Sequence, residues 1–218
     1  MKLDVLYEDN HLIAVFKPAN LLVQGDITGD VSLMDEIKNY LKEKYNKPGN
    51  IFLGLLHRLD RPVQGIVLFA KTSKGASRLS EQFREHTIQK IYTAVVSGQT
   101  PKTGTLVSYI LKDENKNKVE VFDTPHGGAL RAELSFETLA TNKNFSLVRI
   151  ALKTGRPHQI RAQFSHIGHA LVGDTKYGGQ KNSELLLAAT ELKFTGATDS
   201  ASHEIKIEVP ESFLKFVK

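Results

Sequence analysis

His57-Arg58-Leu59-Asp60, followed by Gly65-Ile66-Val67-Leu68-Phe69-Ala70-Lys71, is the stretch on which the reading of this chain turns. One apolar run, Ile51 to Leu56, leads into it, and a second, Ile66 to Ala70, leads out. The pattern reads as strand, loop and strand, with a histidine, an arginine and an aspartate packed into the loop. Charge held between hydrophobic segments is costly unless it is paired or does chemistry. Two readings follow, a structural Arg–Asp pair at a sheet edge or an active-site aspartate beside an arginine, and these four residues alone do not choose between them.

On the N-terminal side, Val5-Leu6-Tyr7 and Leu12-Ile13-Ala14-Val15-Phe16 read as two strands. Glu8-Asp9-Asn10 supplies turn chemistry between them, which predicts a hairpin. Lys17-Pro18-Ala19-Asn20 breaks the second strand, because proline cannot donate to a ladder. Ser32 is placed as a helix N-cap, with Asp35 and Glu36 in the first turn and Leu33, Ile37, Leu41 and Tyr45 on one face. Asn46-Lys47-Pro48-Gly49 ends that helix.

On the C-terminal side, Thr72 or Ser73 caps a second helix with Ala76, Leu79 and Phe83 as its apolar stripe. Lys74, Arg78, Arg84 and Lys90 read as a solvated basic face. Strands are expected at Lys90–Val96, Thr105–Leu111, Val119–Phe122, Ala132–Ala140 and Phe145–Leu152, with polar breaks at residues 98–104, 113–117 and 142–144. Gly155-Arg156-Pro157-His158-Gln159-Ile160-Arg161 is expected to open a third helix, with Pro157 at its first position. Ile160, Phe164 and Ile167 would face the core, while His158, Arg161 and Ser165 form a polar row. Late strands are expected at Leu185–Ala188, Glu191–Phe194 and Glu204–Val209, and Pro210 starts a short terminal helix. Residues 98–104 are a candidate boundary, but strands on both sides argue for one continuous sheet.

The chain has 218 residues, 40% of them hydrophobic and 24% charged, which is the profile of a globular protein with a real core. It has no cysteine, so disulfides and thiolate metal sites are excluded. No signal-peptide pattern follows Met1, and no apolar run approaches a membrane span, so the expected location is the cytoplasm. The formal charge of +5 is compatible with a polyanionic partner. The eight histidines are dispersed, and neither a zinc-protease helix nor a phosphate-binding glycine loop is present, so neither a metal nor a nucleotide cofactor is expected. What remains is Asp60 with arginines, Tyr92 and two histidines. A carboxylate beside an arginine stays ionised and can serve as nucleophile or base. An aromatic ring can stack on a nucleobase, and arginines hold phosphates.

Taken together, His57–Asp60 through Lys71, Tyr7-Glu8-Asp9 with Lys17-Pro18-Ala19, Lys90-Ile91-Tyr92-Thr93-Ala94, and Gly155–Arg161 with Gly168-His169, Gly173-Asp174 and Tyr177-Gly178 resemble, in order, the segments of the RluA-type family of RNA pseudouridine synthases. The resemblance implies an α+β fold, a mixed and largely antiparallel β-sheet with flanking helices and a central RNA-binding cleft. It implies a single catalytic domain over residues 1–218 without a separate N-terminal RNA-binding domain. It implies isomerisation of uridine to pseudouridine in structured RNA, ribosomal ahead of transfer RNA, by a monomer that uses no cofactor and no metal. Asp60 matches the family's nucleophile, Tyr92 the tyrosine that stacks on the uracil and serves in proton removal, and Arg161 the arginine that pairs with the aspartate. Arg58 matches the arginine that fills the space of the flipped base. Lys71, Arg156, His158 and Gln159 stand as substrate-binding candidates, the last three with a structural role as the other possibility, and His57 as a structural hydrogen-bonding residue. Val63 and Gln64 replace small hydroxyl residues usual in the family, Gln163 and Ala188 replace histidines, Ala170 a proline, and Asn20 a glycine, a position where asparagine tolerates left-handed backbone. The rival readings are a non-catalytic RNA-binding module that kept the fold, and a ribonuclease using His57 and His158 as an acid–base pair.

Overall fold

Asp9 closes the first turn of the chain: its carboxylate accepts the backbone N–H groups of His11 (2.7 Å) and Leu12 (2.6 Å). That turn joins β1 (Val5–Glu8) to β2 (Leu12–Lys17) as the expected antiparallel hairpin. The structure is a computed structural model that describes residues 3–114 and 116–218. Met1 and Lys2, and Asn115 in the polar break expected at 113–117, lie outside the described residues. In chain order there follow α1 (Leu33–Lys44), β3 (Gly54–Leu55), β4 (Gln64–Ala70), α2 (Ser73–Arg84), β5 (Gln89–Ser97), β6 (Thr103–Asp113), β7 (Lys118–Phe122), β8 (Leu130–Thr141) and β9 (Phe145–Leu152). The chain continues with α3 (Gln159–His166), a 3-10 turn at Thr175–Tyr177, β10 (Leu187–Thr195), β11 (Ser202–Lys206) and α4 (Glu211–Leu214).

These elements form two compact units. The first covers the chain up to Ile88 together with Glu191–Ile207. In it β1, β2 and β4 lie side by side, β3 adds to the other edge of β4, and β11 pairs with the second half of β10. Strand β4 is buried along its whole length, as its unbroken apolar run demands. Leu12, Ala14, Ile66, Leu68 and Leu79 form one core with Leu192, Phe194 and Ile205. Ser32 caps α1 through a full capping box with Asp35, and Leu33, Ile37 and Leu41 are its buried face. Tyr45, the last member of the expected apolar row, is 44% exposed at the C-cap. Thr72 is the cap of α2, accepting from Gly75 N–H at 3.1 Å.

The second unit covers Gln89–Thr190 and Glu208–Lys218. Here β5, β9, β8, β6 and β7 follow one another, every pair antiparallel. Val95, Leu147, Val172, Leu186 and Phe213 form one core cluster, and Ile110, Val119, Ala132, Ala162 and Tyr177 a second. The fold class is α+β, a mixed and largely antiparallel sheet with flanking helices. Among the described residues no helix is long and apolar enough to cross a membrane.

Three expectations are corrected. The two strands expected at 185–188 and 191–194 are one strand, β10, because Ala189 and Thr190 are buried and extended rather than turn-forming. Helix α3 begins at Gln159, so Pro157 lies before it and not at its first position. His158, with φ of 50°, is left-handed and interrupts the helical path. Ile167 falls beyond the end of α3 and is 39% exposed, while Ile160 and Phe164 are buried as expected.

Candidate active site

In the first unit, the segment between β3 and β4 carries Arg58 and Asp60 on either side of Leu59. Leu59 is buried, Asp60 half-buried and Arg58 exposed, so one apolar side chain anchors the loop. The backbone is pinned at several points. His57 Nε2 accepts the N–H of Leu68 on β4 at 3.0 Å, and its ring stacks on Phe83 of α2 at 4.9 Å. This bond makes Nε2 the unprotonated nitrogen and gives His57 the structural role expected of it. Asp60 C=O accepts Val63 N–H at 3.0 Å, closing a turn through Arg61 and Pro62.

Lys17, at the end of β2, has no exposed surface. Its ammonium donates to three carbonyls, Pro18 (3.0 Å), Leu21 (2.7 Å) and Arg61 (2.9 Å). Burial pushes its pKa down to about 8, against the opposite pull of the Asp60 carboxylate. Arg61 reaches back to the carbonyl of Asn20 (3.2 Å), and Asn20 takes the left-handed conformation, φ 67°, for which asparagine stands in for glycine. Lysine at this place was part of a matching segment but carried no assigned role. One of its partners, the Arg61 carbonyl, comes from 44 positions away in the chain, which no local pattern reveals.

Lys71 follows β4 at the opposite end from Asp60. Seven extended residues intervene, about 23 Å of strand. There its ammonium donates to Glu8 at 2.6 Å and lies 5.1 Å from the ring centre of Tyr45.

In the second unit, Tyr92 sits on β5 opposite Ile150 of β9 and is 8% exposed. Lys90 shares its face of the strand, and its Nζ lies 3.6 Å from the position a Cβ on Gly155 would take. Burial pushes the Lys90 pKa below the usual lysine range, so this residue departs from the solvated basic face on which it was expected. Lys74, Arg78 and Arg84 are exposed, in keeping with that reading.

Arg161, on α3, is 6% exposed and is held by Asp174 in a two-pronged ion pair, Nε to Oδ2 at 2.7 Å and Nη2 to Oδ1 at 2.8 Å. Such a fork fixes the plane of the guanidinium as well as its position. Its carbon lies 5.2 Å from the centre of the Tyr177 ring. The polar row of His158, Arg161 and Ser165, which could have faced only water, converges on Tyr177: His158 Nδ1 pairs with its hydroxyl at 2.8 Å and Ser165 Oγ donates to its carbonyl at 2.6 Å. The same hydroxyl accepts Val119 N–H from β7 at 3.0 Å. The glycine-punctuated loop serves this placement. A Cβ on Gly173 would stand 2.0 Å from Glu184 O, and one on Gly179 2.0 Å from Leu171 O.

Gln159 is buried, and its side-chain oxygen accepts from Thr154 Oγ1 (2.8 Å) and Arg156 N–H (3.0 Å) while its amide donates to Glu133 C=O (3.2 Å). It shapes the turn before α3. Arg156 Nε donates to Arg131 C=O at 3.0 Å. His57 and His158 thus both have structural bonds, which weakens the reading of them as a ribonuclease acid–base pair. Asp174 and Tyr177 stood within a matching segment without a role. The tight Gly-Asp and Tyr-Gly steps around them were the signal that the loop was built for a purpose.

The family model described as RNA pseudouridylate synthase matches residues 11–166. The chain belongs to the RNA pseudouridylate synthase family. The match takes in Asp60, Tyr92 and Arg161, and it bears out the RluA-type resemblance of the motifs. The chain is 34% identical over 201 residues to the tRNA pseudouridine synthase C of Haemophilus ducreyi, covering 87% of this chain and 80% of that one. It is 32% identical over 184 residues to the ribosomal large subunit pseudouridine synthase D of Zymomonas mobilis, covering 83% of this chain and only 57% of that one. A solved structure of human RNA pseudouridylate synthase domain containing 4 matches its fold with a TM-score of 0.81 at 22% identity, over 97% of this chain and 90% of that one. This family is one of isomerases that convert uridine to pseudouridine in RNA.

Proposed function

We propose that the chain isomerises a uridine within a structured transfer or ribosomal RNA, with Asp60 as the nucleophile or base that starts the reaction. The observation that carries the reading is the Asp60 loop itself. A half-buried carboxylate sits on a turn whose neighbouring carbonyl, that of Arg61, is gripped by the buried Lys17, which holds the backbone beside the reacting group in place. Tyr92 is proposed to stack on the uracil and take part in removing the proton from C5, Arg161 to pair with Asp60, and Arg58 to fill the space left when the nucleotide leaves its stack. Arg156 is proposed as a phosphate contact, and His158 and Gln159 as residues that shape the approach to Arg161.

The reaction is balanced within the nucleotide. The bond from C1′ to N1 breaks, a bond from C1′ to C5 forms, the proton on C5 leaves and N1 gains one. Asp60 either attacks C1′, removes a proton from C2′ to give a glycal, or attacks C6 of the base. Each route needs an ionised carboxylate and none needs an activated water. Unstacking the nucleotide costs a few kcal/mol, to be met by contacts with the extruded base. Relatives named for transfer RNA and for the large ribosomal subunit match at similar identity, so the reading spans both substrates. It takes the chain as one catalytic domain, acting as a monomer in the cytoplasm.

The test is tritium release from C5-labelled uridine in transfer and ribosomal RNA, without added metal. The wild type should release tritium and leave RNA length unchanged, and Asp60→Asn should lower release by at least about 10³-fold while RNA binding survives. Near-normal turnover by Asp60→Asn overturns the assignment of Asp60. RNA binding without any product would favour a non-catalytic module.

A further inference from the structure

At the far end of β4 from Asp60, the first unit holds a pocket of about 410 Å³ whose lining includes Asn10, Tyr45, Lys47, Asn50, Phe52 and Lys71. Two aromatic rings stand unusually open there, Tyr45 at 44% and Phe52 at 52% exposure. Three ammonium groups surround the Tyr45 ring, Lys71 at 5.1 Å, Lys47 at 5.4 Å and Lys44 at 5.5 Å from its centre. Their counter-charge is Glu8, whose carboxylate accepts from Lys71 (2.6 Å), Tyr45 (2.6 Å), Lys44 (2.7 Å) and Tyr40 (3.0 Å). Burial alone would raise the Glu8 pKa, but the four donors outweigh it and hold the group at about 2, ionised at neutral pH. One carboxylate against three ammonium groups leaves a net positive, aromatic floor. The C-terminal end of α1, which would repel an anion, is offset by Lys42 and Lys44 in its last turn.

We propose that this pocket seats one unstacked nucleotide of the RNA at a point away from the reacting uridine, its base against Tyr45 and Phe52 and its phosphate against Lys47. This rests on the reading that the chain acts on RNA. The chemistry fits single-stranded nucleic acid in particular: stacking on an aromatic side chain adds to a cationic rim and tolerates any base. Asn10 and Asn50 supply donors and acceptors for a base edge. Lys71, expected as a substrate-binding residue, then contacts substrate here, at a second grip that orients the RNA, and not beside Asp60. An acidic peptide would meet the same charge but would bring no base to stack.

The chain has no tryptophan, so Phe52→Trp installs a single fluorescent reporter in the pocket. It is titrated with an adenylate hexamer, which contains no uridine, and with hexaglutamate. The expected result is saturable quenching by the hexanucleotide and none by hexaglutamate. Adding Lys47→Ala to the reporter should weaken hexanucleotide binding several-fold and flatten its salt dependence by about one phosphate, a slope change of about 0.7. In the otherwise unaltered chain, Phe52→Ala should weaken binding to the RNA substrate about ten-fold. Both side chains are exposed, and circular dichroism checks that the variants fold. The proposal is overturned if the hexanucleotide leaves the reporter unquenched, if hexaglutamate quenches it equally, or if Phe52→Ala and Lys47→Ala bind substrate RNA as the wild type does. A wild type that releases tritium from RNA while the reporter stays silent sinks this inference alone. A wild type that neither binds nor modifies RNA sinks the reading beneath it as well.

Discussion

In the loop that carries Asp60 the fixing contacts run to backbone: Lys17 holds the carbonyl of Arg61, Arg61 holds the carbonyl of Asn20, and His57 takes the N–H of Leu68. In the cluster around Arg161 they run between side chains: Asp174 grips the guanidinium, Tyr177 lies against it, and His158 meets the Tyr177 hydroxyl. The difference follows from what each part has to present. A loop has to hold its course, so it is fixed through main-chain carbonyls and N–H groups. An arginine has five donors, so two can be given to a fixing carboxylate without spending its charge-bearing plane.

The comparison breaks most sharply at Asp174. Arg161 is nearly fully buried, so Asp174→Ala removes the fork from a guanidinium with little access to water. Removing one partner of a buried pair typically costs about 3–5 kcal/mol, and urea denaturation should show a loss of that size. A loss below about 1 kcal/mol would mean that the fork is not what holds this cluster. Asp174→Asn, which keeps the shape and one acceptor, should fall between the two.

The Asp60 side is probed by Lys17→Met, which keeps length and apolar bulk but removes the donor to three carbonyls. Unmatched acceptors cost about 1–3 kcal/mol each, and relief from burying a charge offsets part of that, so the net loss should be about 2 kcal/mol. Tritium release should fall further than stability does, because the Arg61 carbonyl is the neighbour of Asp60. The pH profile carries a sign of its own. Lys17 has a folded pKa near 8, below the ordinary value of 10.5, so between those values the unfolded chain holds a proton that the folded chain has lost. Stability of the wild type relative to Lys17→Met should therefore rise from about pH 8 to 10.5 and be lowest below 8. A flat difference across that window would show that Lys17 is not the buried ammonium described.

These two regions also differ in how far the chain itself announced them. The hairpin at Glu8-Asp9-Asn10 and the N-cap at Ser32 depend on residues within four positions of one another, and both were readable, although the reciprocal bond from Asp35 came only with the structure. The β4 run and the position of Asp60 were readable for the same reason. Lys17 was not, since lysine is expected outside and its burial depends on carbonyls that come near it only on folding. The start of α3 was misplaced because Gln159 reaches back to Thr154 and Arg156, making a turn that outweighs the local preference of Pro157 for a first helical position. The polar row on α3 was seen, but its target was not, because Tyr177 lies 16 residues after Arg161 across a loop shaped by Gly173 and Gly179.

Tyr177 gives the finest test of the contrast, because one atom can be removed while the ring stays. Tyr177→Phe keeps the face against Arg161 and the carbonyl that Ser165 bonds, and deletes only the hydroxyl shared by His158 and Val119 N–H. The Val119 N–H is on β7 and buried, so its lost acceptor should dominate, at about 1 kcal/mol. If side chains hold Arg161 independently of that hydroxyl, tritium release should fall by less than about five-fold, in proportion to a slight loosening of His158. A fall as deep as that expected of Asp60→Asn would show instead that the hydroxyl, and the histidine it positions, belong to the chemistry and not to the frame that carries it.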